Sequence, residues 1–186
     1  MKQTLALVLC ILLLTGCSDG NEPLERGLQF REALLSSEGC SFTAEVTADY
    51  EEYVQSFTLA CVTDGEGNIS FTVVSPETIS GITGTIDAQG GKLTFDDTVL
   101  GFPLLAGKTL SPVSAPWILV NTLRSGYLTS ACGESDLLRL SMDDSYRDDA
   151  LQLDIWLDDR DRPVQADILQ DGNRIMTVSV TDFQIL

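Results

Sequence analysis

The chain lacks histidine altogether and is poor in positive charge, with 11 Lys and Arg against 28 Asp and Glu and a net charge of −17. Without an imidazole there is no histidine triad, no histidine general base and no histidine metal site. A surface this acidic repels nucleic acid and anionic lipid headgroups, so no nucleic-acid partner is expected. Aromatic residues make up only 7% of the chain. Nor is there an apolar run long enough for a transmembrane helix, which takes roughly 20 residues. The one apolar run that stands out, "TLALVLCILLL", begins at Thr4 behind Lys2 and stops short of that length.

A short positive segment, an apolar segment and then small residues are the order of an export signal. The small residues here are Leu14-Thr15-Gly16-Cys17. This resembles the bacterial lipobox, in which the cysteine thiol is acylated and cleavage leaves that cysteine first. Residues 1–16 are therefore read as a lipoprotein signal peptide, residues 17–22 as lipidated Cys17 and its tether, and residues 23–186 as one domain. Two acyl chains bury on the order of 30 methylenes at ~0.8 kcal/mol each, far beyond the marginal hold of a single myristoyl chain. The tether "SDGNEP" spans at most roughly 20 Å, which keeps the domain close to the membrane.

Past the tether, "NEPLERGLQFREALLSSEGC" has helix signals: Asn21 to cap, Pro23 for the first turn and Gly39 as the stop. Leu24, Leu28, Leu34 and Leu35 are the expected apolar stripe. From Ser41 the period changes to two. Phe42, Ala44, Val46 and Ala48 alternate with polar residues, and Tyr53, Phe57, Leu59 and Cys61 return in phase, as in a half-buried hairpin. Ile69, Phe71 and Val73, then Ile82 and Ile86, then Leu93 and Phe95 within "KLTFDDTVL", continue an antiparallel meander. "LSPVSAPWILVNTLRSG" interrupts it as a second helix, with Ser114 at the N-cap, Pro116 in the first turn and Gly126 at the end. Trp117, Ile118, Leu119, Val120 and Leu123 leave this helix little polar face, so it is expected to be buried on most sides. Strands resume in "LLRLSMDD", "ALQLDIWLDD", "RPVQADILQ" and "NRIMTVSVTDFQIL".

This order of elements, with "FTAEVTADY", "FTVVSPETISGITGTI" and "SPVSAPWILVNTL" as its sharpest local matches, resembles the LolA/LolB-like lipoprotein-carrier superfamily, and within it the GerS-like sporulation and germination lipoproteins of Gram-positive bacteria. The resemblance implies an α+β fold: a strongly curved antiparallel sheet, open as a half-barrel, with an N-terminal helix and a short apolar lid helix on the concave side. It implies no catalytic residues, no metal and no cofactor, hence no enzyme. It implies an extracytoplasmic lipoprotein, on the outer membrane if the cell is Gram-negative, that carries or senses a lipid or acyl ligand. The alternative is a non-catalytic partner of a cell-envelope or spore-cortex enzyme. The residues expected to line the apolar space are Phe42, Val46, Phe57, Leu59, Phe71, Val73, Ile82, Leu93 and Phe95, with Trp117 and Leu123 from the lid. Each is also the kind of residue that fills any half-buried strand.

Three cysteines remain in the exported domain. With a four-residue loop from Asp49 to Glu52, Cys40 faces Cys61 on the apolar face, within reach of a disulfide, and Cys132 stays a free thiol. With a two-residue loop, Glu51-Glu52, the pairing shifts by two residues and sets Cys61 beside Phe42. Free buried cysteine is a further alternative. The acidic pairs Asp96-Asp97, Asp143-Asp144, Asp148-Asp149 and Asp158-Asp159 fall in turns, where solvation keeps carboxylates ordinary, and lack the spacing of a calcium loop. Trp156 is out of phase with Leu153, Ile155 and Leu157 and so faces away from the core as a candidate contact surface. Replacing Cys17 with Ser is expected to move the protein from the membrane to the soluble fraction without unfolding it. Continued membrane association of that variant would contradict the lipobox.

Overall fold

The computed structural model describes residues 22–49, 54–96, 98–106 and 109–186. Cys17, the signal segment and Asn21 lie outside the described residues. Helix α1 (Glu22–Leu35) leads into β1 (Cys40–Asp49), β2 (Val54–Thr63), β3 (Ile69–Ser75), β4 (Thr83–Asp87), β5 (Gly90–Phe95) and β6 (Thr98–Phe102). A small hairpin, β7 (Leu105–Ala106) and β8 (Thr109–Leu110), precedes α2 (Ala115–Ser125). The chain ends with β9 (Tyr127–Glu134), β10 (Leu137–Asp143), β11 (Gln152–Leu157), β12 (Pro163–Gln170) and β13 (Asn173–Ile185).

Eleven strands form one antiparallel sheet in the order β6-β5-β4-β3-β2-β1-β13-β12-β11-β10-β9, and β7-β8 stands apart. The sheet does not close, because β6 and β9 each pair on one side only. It is an α+β fold of the open half-barrel kind. Two meanders meet where the first strand pairs with the last, Ala44 against Val180, Val46 against Val178 and Ala48 against Met176. All six of these side chains are buried. The alternation read from the sequence holds on both sides of that seam. Phe42, Ile69, Phe71, Leu153, Ile155 and Leu157 all face the core, and both helices lie on that face.

Several expectations are corrected. Leu24, Leu28 and Leu35 are exposed, and the face that α1 buries is Gly27, Phe30 and Leu34. Gly27 decides the seating: a Cβ there would come within 2.7 Å of Leu140 Cδ2, so the missing side chain lets the helix press onto β10. The helix is then pinned by Arg26, which donates to Asp161 Oδ1 at 3.0 and 2.6 Å and to the Asp158 carbonyl at 3.2 Å. "KLTFDDTVL" is a hairpin rather than one strand. Phe95 pairs with Thr98, and Asp96 takes a left-handed conformation that aspartate tolerates. Strand β9 shows no alternation of burial, and its pairing with β10 is broken by a bulge, so period two does not mark it. Ser114 does stand at the N-cap position of α2, yet its hydroxyl donates to the Ser111 carbonyl rather than capping.

The acidic turns are built by their own carboxylates. Asp158 accepts from the backbone N–H groups of Arg160 and Arg162 and from the Arg162 guanidinium, and Asp144 accepts from the Leu151 N–H. Burial of Asp158 works to raise its pKa, but these hydrogen bonds outweigh it and hold the carboxyl below its usual range. Gly39, between α1 and β1, has φ of +145° and would place a Cβ 2.0 Å from the Thr63 carbonyl oxygen. Gly39→Ala is therefore expected to cost on the order of 2–4 kcal/mol in urea unfolding. A loss below about 0.5 kcal/mol, the range of an ordinary surface change, would contradict this packing.

Candidate functional site

The residues expected to line an apolar space separate into two groups. Phe42, Val46, Leu59, Phe71, Val73 and Leu123 are buried within one continuous core. Phe57, Ile82, Leu93 and Trp117 sit half-buried at its margin, and Phe95 is 62% exposed. The register explains the division. Helices α1 and α2 pack mainly on β9, β10, β1 and β13. In the other half of the sheet β3 and β4 still bury Ile69, Phe71, Val73 and Ile86, and the apolar side chains become exposed at the outer end of the wing formed by β3 to β6, on β5 and β6. On that wing Val73 donates its N–H to the Ile82 carbonyl, Phe71 lies against Gly84, and Leu93 pairs with Gly84 on one side and Leu100 on the other. Leu100 is 63% exposed and was not expected at the site. Its signal was the acidic pair in the sequence after Phe95, beyond which "TVLGF" returns alongside β5.

What holds the helices over the rest of the face is also absent from the sequence reading. Arg31 of α1 donates to the carbonyls of Leu123 and Arg124 at the end of α2, at 2.9 and 3.0 Å. Arg124 in turn donates to the Leu34 carbonyl at the end of α1, at 3.1 Å, and to the Gly65 carbonyl in the β2–β3 turn. Each helix thus satisfies C-terminal carbonyls of the other, groups that have no partner within their own helix. The positive guanidinium also meets the negative end of each helix dipole. The arrangement ties both helices to each other and to the sheet without a covalent link. A basic residue within reach of a helix end was the available signal.

The cysteines correct the preferred hairpin register. Phe42 pairs with Cys61, and Asp49 pairs with Val54, which is the alternative two-residue shift. Cys40 instead donates its N–H to Thr63 Oγ1 at 2.8 Å. Cys61 is therefore its diagonal neighbour, about 7–8 Å away by Cα, beyond the reach of a disulfide without backbone movement. All three thiols, Cys40, Cys61 and Cys132, are free. Burial raises the pKa of Cys40 and pushes that of Cys61 up to about 12, with neighbouring Cys40 adding to the effect. Trp156 lies on the opposite face, half-buried, with its indole N–H directed at Glu134 Oε2 at 3.3 Å and Arg139 paired beside it.

The geometry is that of an open antiparallel half-barrel with a helix-covered core and one uncovered apolar wing. No family model matches the sequence, and no curated protein matches it. Among solved structures the chain is similar in fold to a LolA superfamily protein of Nitrosomonas europaea, at 6% identity over 88% of this chain and 93% of that one, with a TM-score of 0.44. It is also similar to the lipoprotein LppX of Mycobacterium tuberculosis, at 10% identity over 89% and 96%, TM-score 0.43. A third likeness is to a chain of the CwlD amidase complex with the GerS lipoprotein of Clostridioides difficile, at 15% identity over 91% and 98%, TM-score 0.42. These are likenesses of fold.

The thiol environments predict reactivity. In the folded chain at pH 8, a maleimide is expected to modify half-buried Cys132 and to leave Cys40 and Cys61 unmodified until denaturant is added. Peptide mapping reads the positions, and rapid native labelling of Cys61 would contradict its buried, protonated state.

Proposed function

We propose that the chain is a non-catalytic lipoprotein, held at the extracytoplasmic face of a membrane by lipidated Cys17, whose uncovered wing takes up a lipid acyl chain or a comparable apolar ligand. The observation that carries this reading is the exposure of Phe95 and Leu100, at 62% and 63%, on a face continuous with the core. Withdrawing a side chain of that size from water contributes roughly 1.5–3 kcal/mol. Micromolar binding corresponds to a net of about −8 kcal/mol after the costs of association, so an acyl chain would have to make several such contacts along its length. An acyl chain fits this chemistry because it brings apolar surface and asks for no hydrogen bonds. Loosening of the Arg31 and Arg124 contacts would extend the wing towards the lining residues that α2 now covers.

A second reading has its own observation. Among the described residues, strand β6 leaves its outer edge unpaired next to the same apolar side chains, a combination that accepts a strand from a protein partner. Such a partner would be an envelope protein, positioned by the anchored chain. A photoactivatable fatty acid added to membranes carrying the protein distinguishes the two. Labelling is expected within residues 92–102, and the pair Phe95→Ser and Leu100→Ser should reduce it roughly ten-fold with far-ultraviolet circular dichroism retained. Undiminished labelling of the folded double variant contradicts the acyl-binding reading. Loss of a co-purifying protein without any fatty-acid labelling moves the function to the partner.

A further inference from the structure

The face of the sheet opposite the helices carries a groove of about 770 Å³ that crosses β13, β1, β2, β3, β4, β5 and β6. It is open to solvent along its length, and most of its lining side chains are exposed. Its lining follows from register. Thr43, Ala60, Thr72, Thr83, Thr94 and Val99 are successive cross-strand partners and form one row. Gln184, Ser41, Val62, Ser70, Thr85 and Lys92 form a second. Neighbouring positions in a row are about 4.8 Å apart, and the rows are about 7 Å apart, two residues along each strand. Among the described residues, none of the seven hydroxyls in these rows hydrogen-bonds to another part of the protein. Each remains free to donate one hydrogen bond and accept two.

Charge narrows the occupant. In a chain with 28 carboxylate side chains, the groove holds one, Asp182, near one end, and one ammonium, Lys92, near the other. Asp182 sits there because β13 bulges opposite Phe42, with φ of +54°. The long middle is uncharged, with hydroxyls interleaved with Ala60, Val62 and Val99. Beyond Lys92, Gly101 leaves the floor bare, and the groove runs on into a second hollow of about 600 Å³ that shares Thr85 and Lys92 and adds a second carboxylate, Asp87.

We propose that this groove binds a linear, uncharged glycan. A sugar chain repeats hydroxyl edges and C–H faces along its length, which matches a repeating array of free hydroxyls and small apolar side chains. An acyl chain would leave the hydroxyls without partners, and a polyanion would meet almost no positive charge. The site lies on the other face from the apolar wing and stands independently of the function proposed for it.

The test is calorimetric titration of the purified full chain with an N-acetylglucosamine hexamer, with a cellohexaose and with an uncharged decapeptide. Binding of at least one oligosaccharide in the millimolar range or tighter is expected. Thr83→Arg, which blocks the centre of the first row, should weaken it roughly ten-fold or more, while Thr83→Ser retains it. Val99→Arg provides a second block in case the first variant fails to fold. The proposal is overturned if neither oligosaccharide binds, if both folded Arg variants bind undiminished, or if the decapeptide binds more tightly than either sugar.

Discussion

The structure depends on one pairing, that of β1 with β13. It joins the first strand to the last, and the two meanders extend from it in opposite directions. Because side chains alternate across a strand, a slip of one residue at this seam would exchange the two faces of everything attached to it. Ala44, Val46 and Ala48 would turn outwards, and Ser41, Thr43 and Glu45 would turn into the core. The burial of Val178 and Met176 opposite them makes that slip expensive, so the seam sets which surface is apolar and which is hydroxyl-rich.

Both proposed sites follow from this division. On the inner face, the helices cover the half of the sheet around β1, β13, β10 and β9. At the far end of the other half, on β5 and β6, Phe95 and Leu100 stay exposed. On the outer face the same strands present threonine and serine, and the bulge at Asp182 interrupts the seam at the end of the groove. The acidic groups that dominate the composition sit largely in turns, where Asp64, Asp87, Asp144 and Asp158 accept backbone N–H groups. They shape connections, and few of them stand on the strands that carry the two proposed sites.

Period-two alternation made the strands legible wherever one face is buried, as in Phe42 to Ala48 and Leu153 to Leu157. The apolar helix was legible from Trp117 to Leu123 because its residues leave little polar side and Gly126 ends it. Reading failed where a contact is made by something small or by the backbone. Gly27, not a leucine, seats α1, and hydropathy gives glycine no weight. The reciprocal Arg31 and Arg124 contacts go to carbonyls, which the sequence does not display. Strand β9 shows no alternation of burial, and a bulge breaks its pairing with β10. The hairpin register differed by two residues, which keeps every side chain on its face but moves Cys61 from Cys40 to Phe42. Alternation alone cannot detect that shift. The exposure of Phe95 and Leu100 likewise depends on where the helices stop, a tertiary fact.

The central claim is that the uncovered apolar wing is a ligand site. Native mass spectrometry of the full chain, purified from its own membrane, tests it most directly. The account predicts a mass above that of the lipidated polypeptide by one acyl-bearing molecule, bound non-covalently and released by organic solvent. A population consisting only of the lipidated polypeptide, with nothing released by solvent, would contradict it.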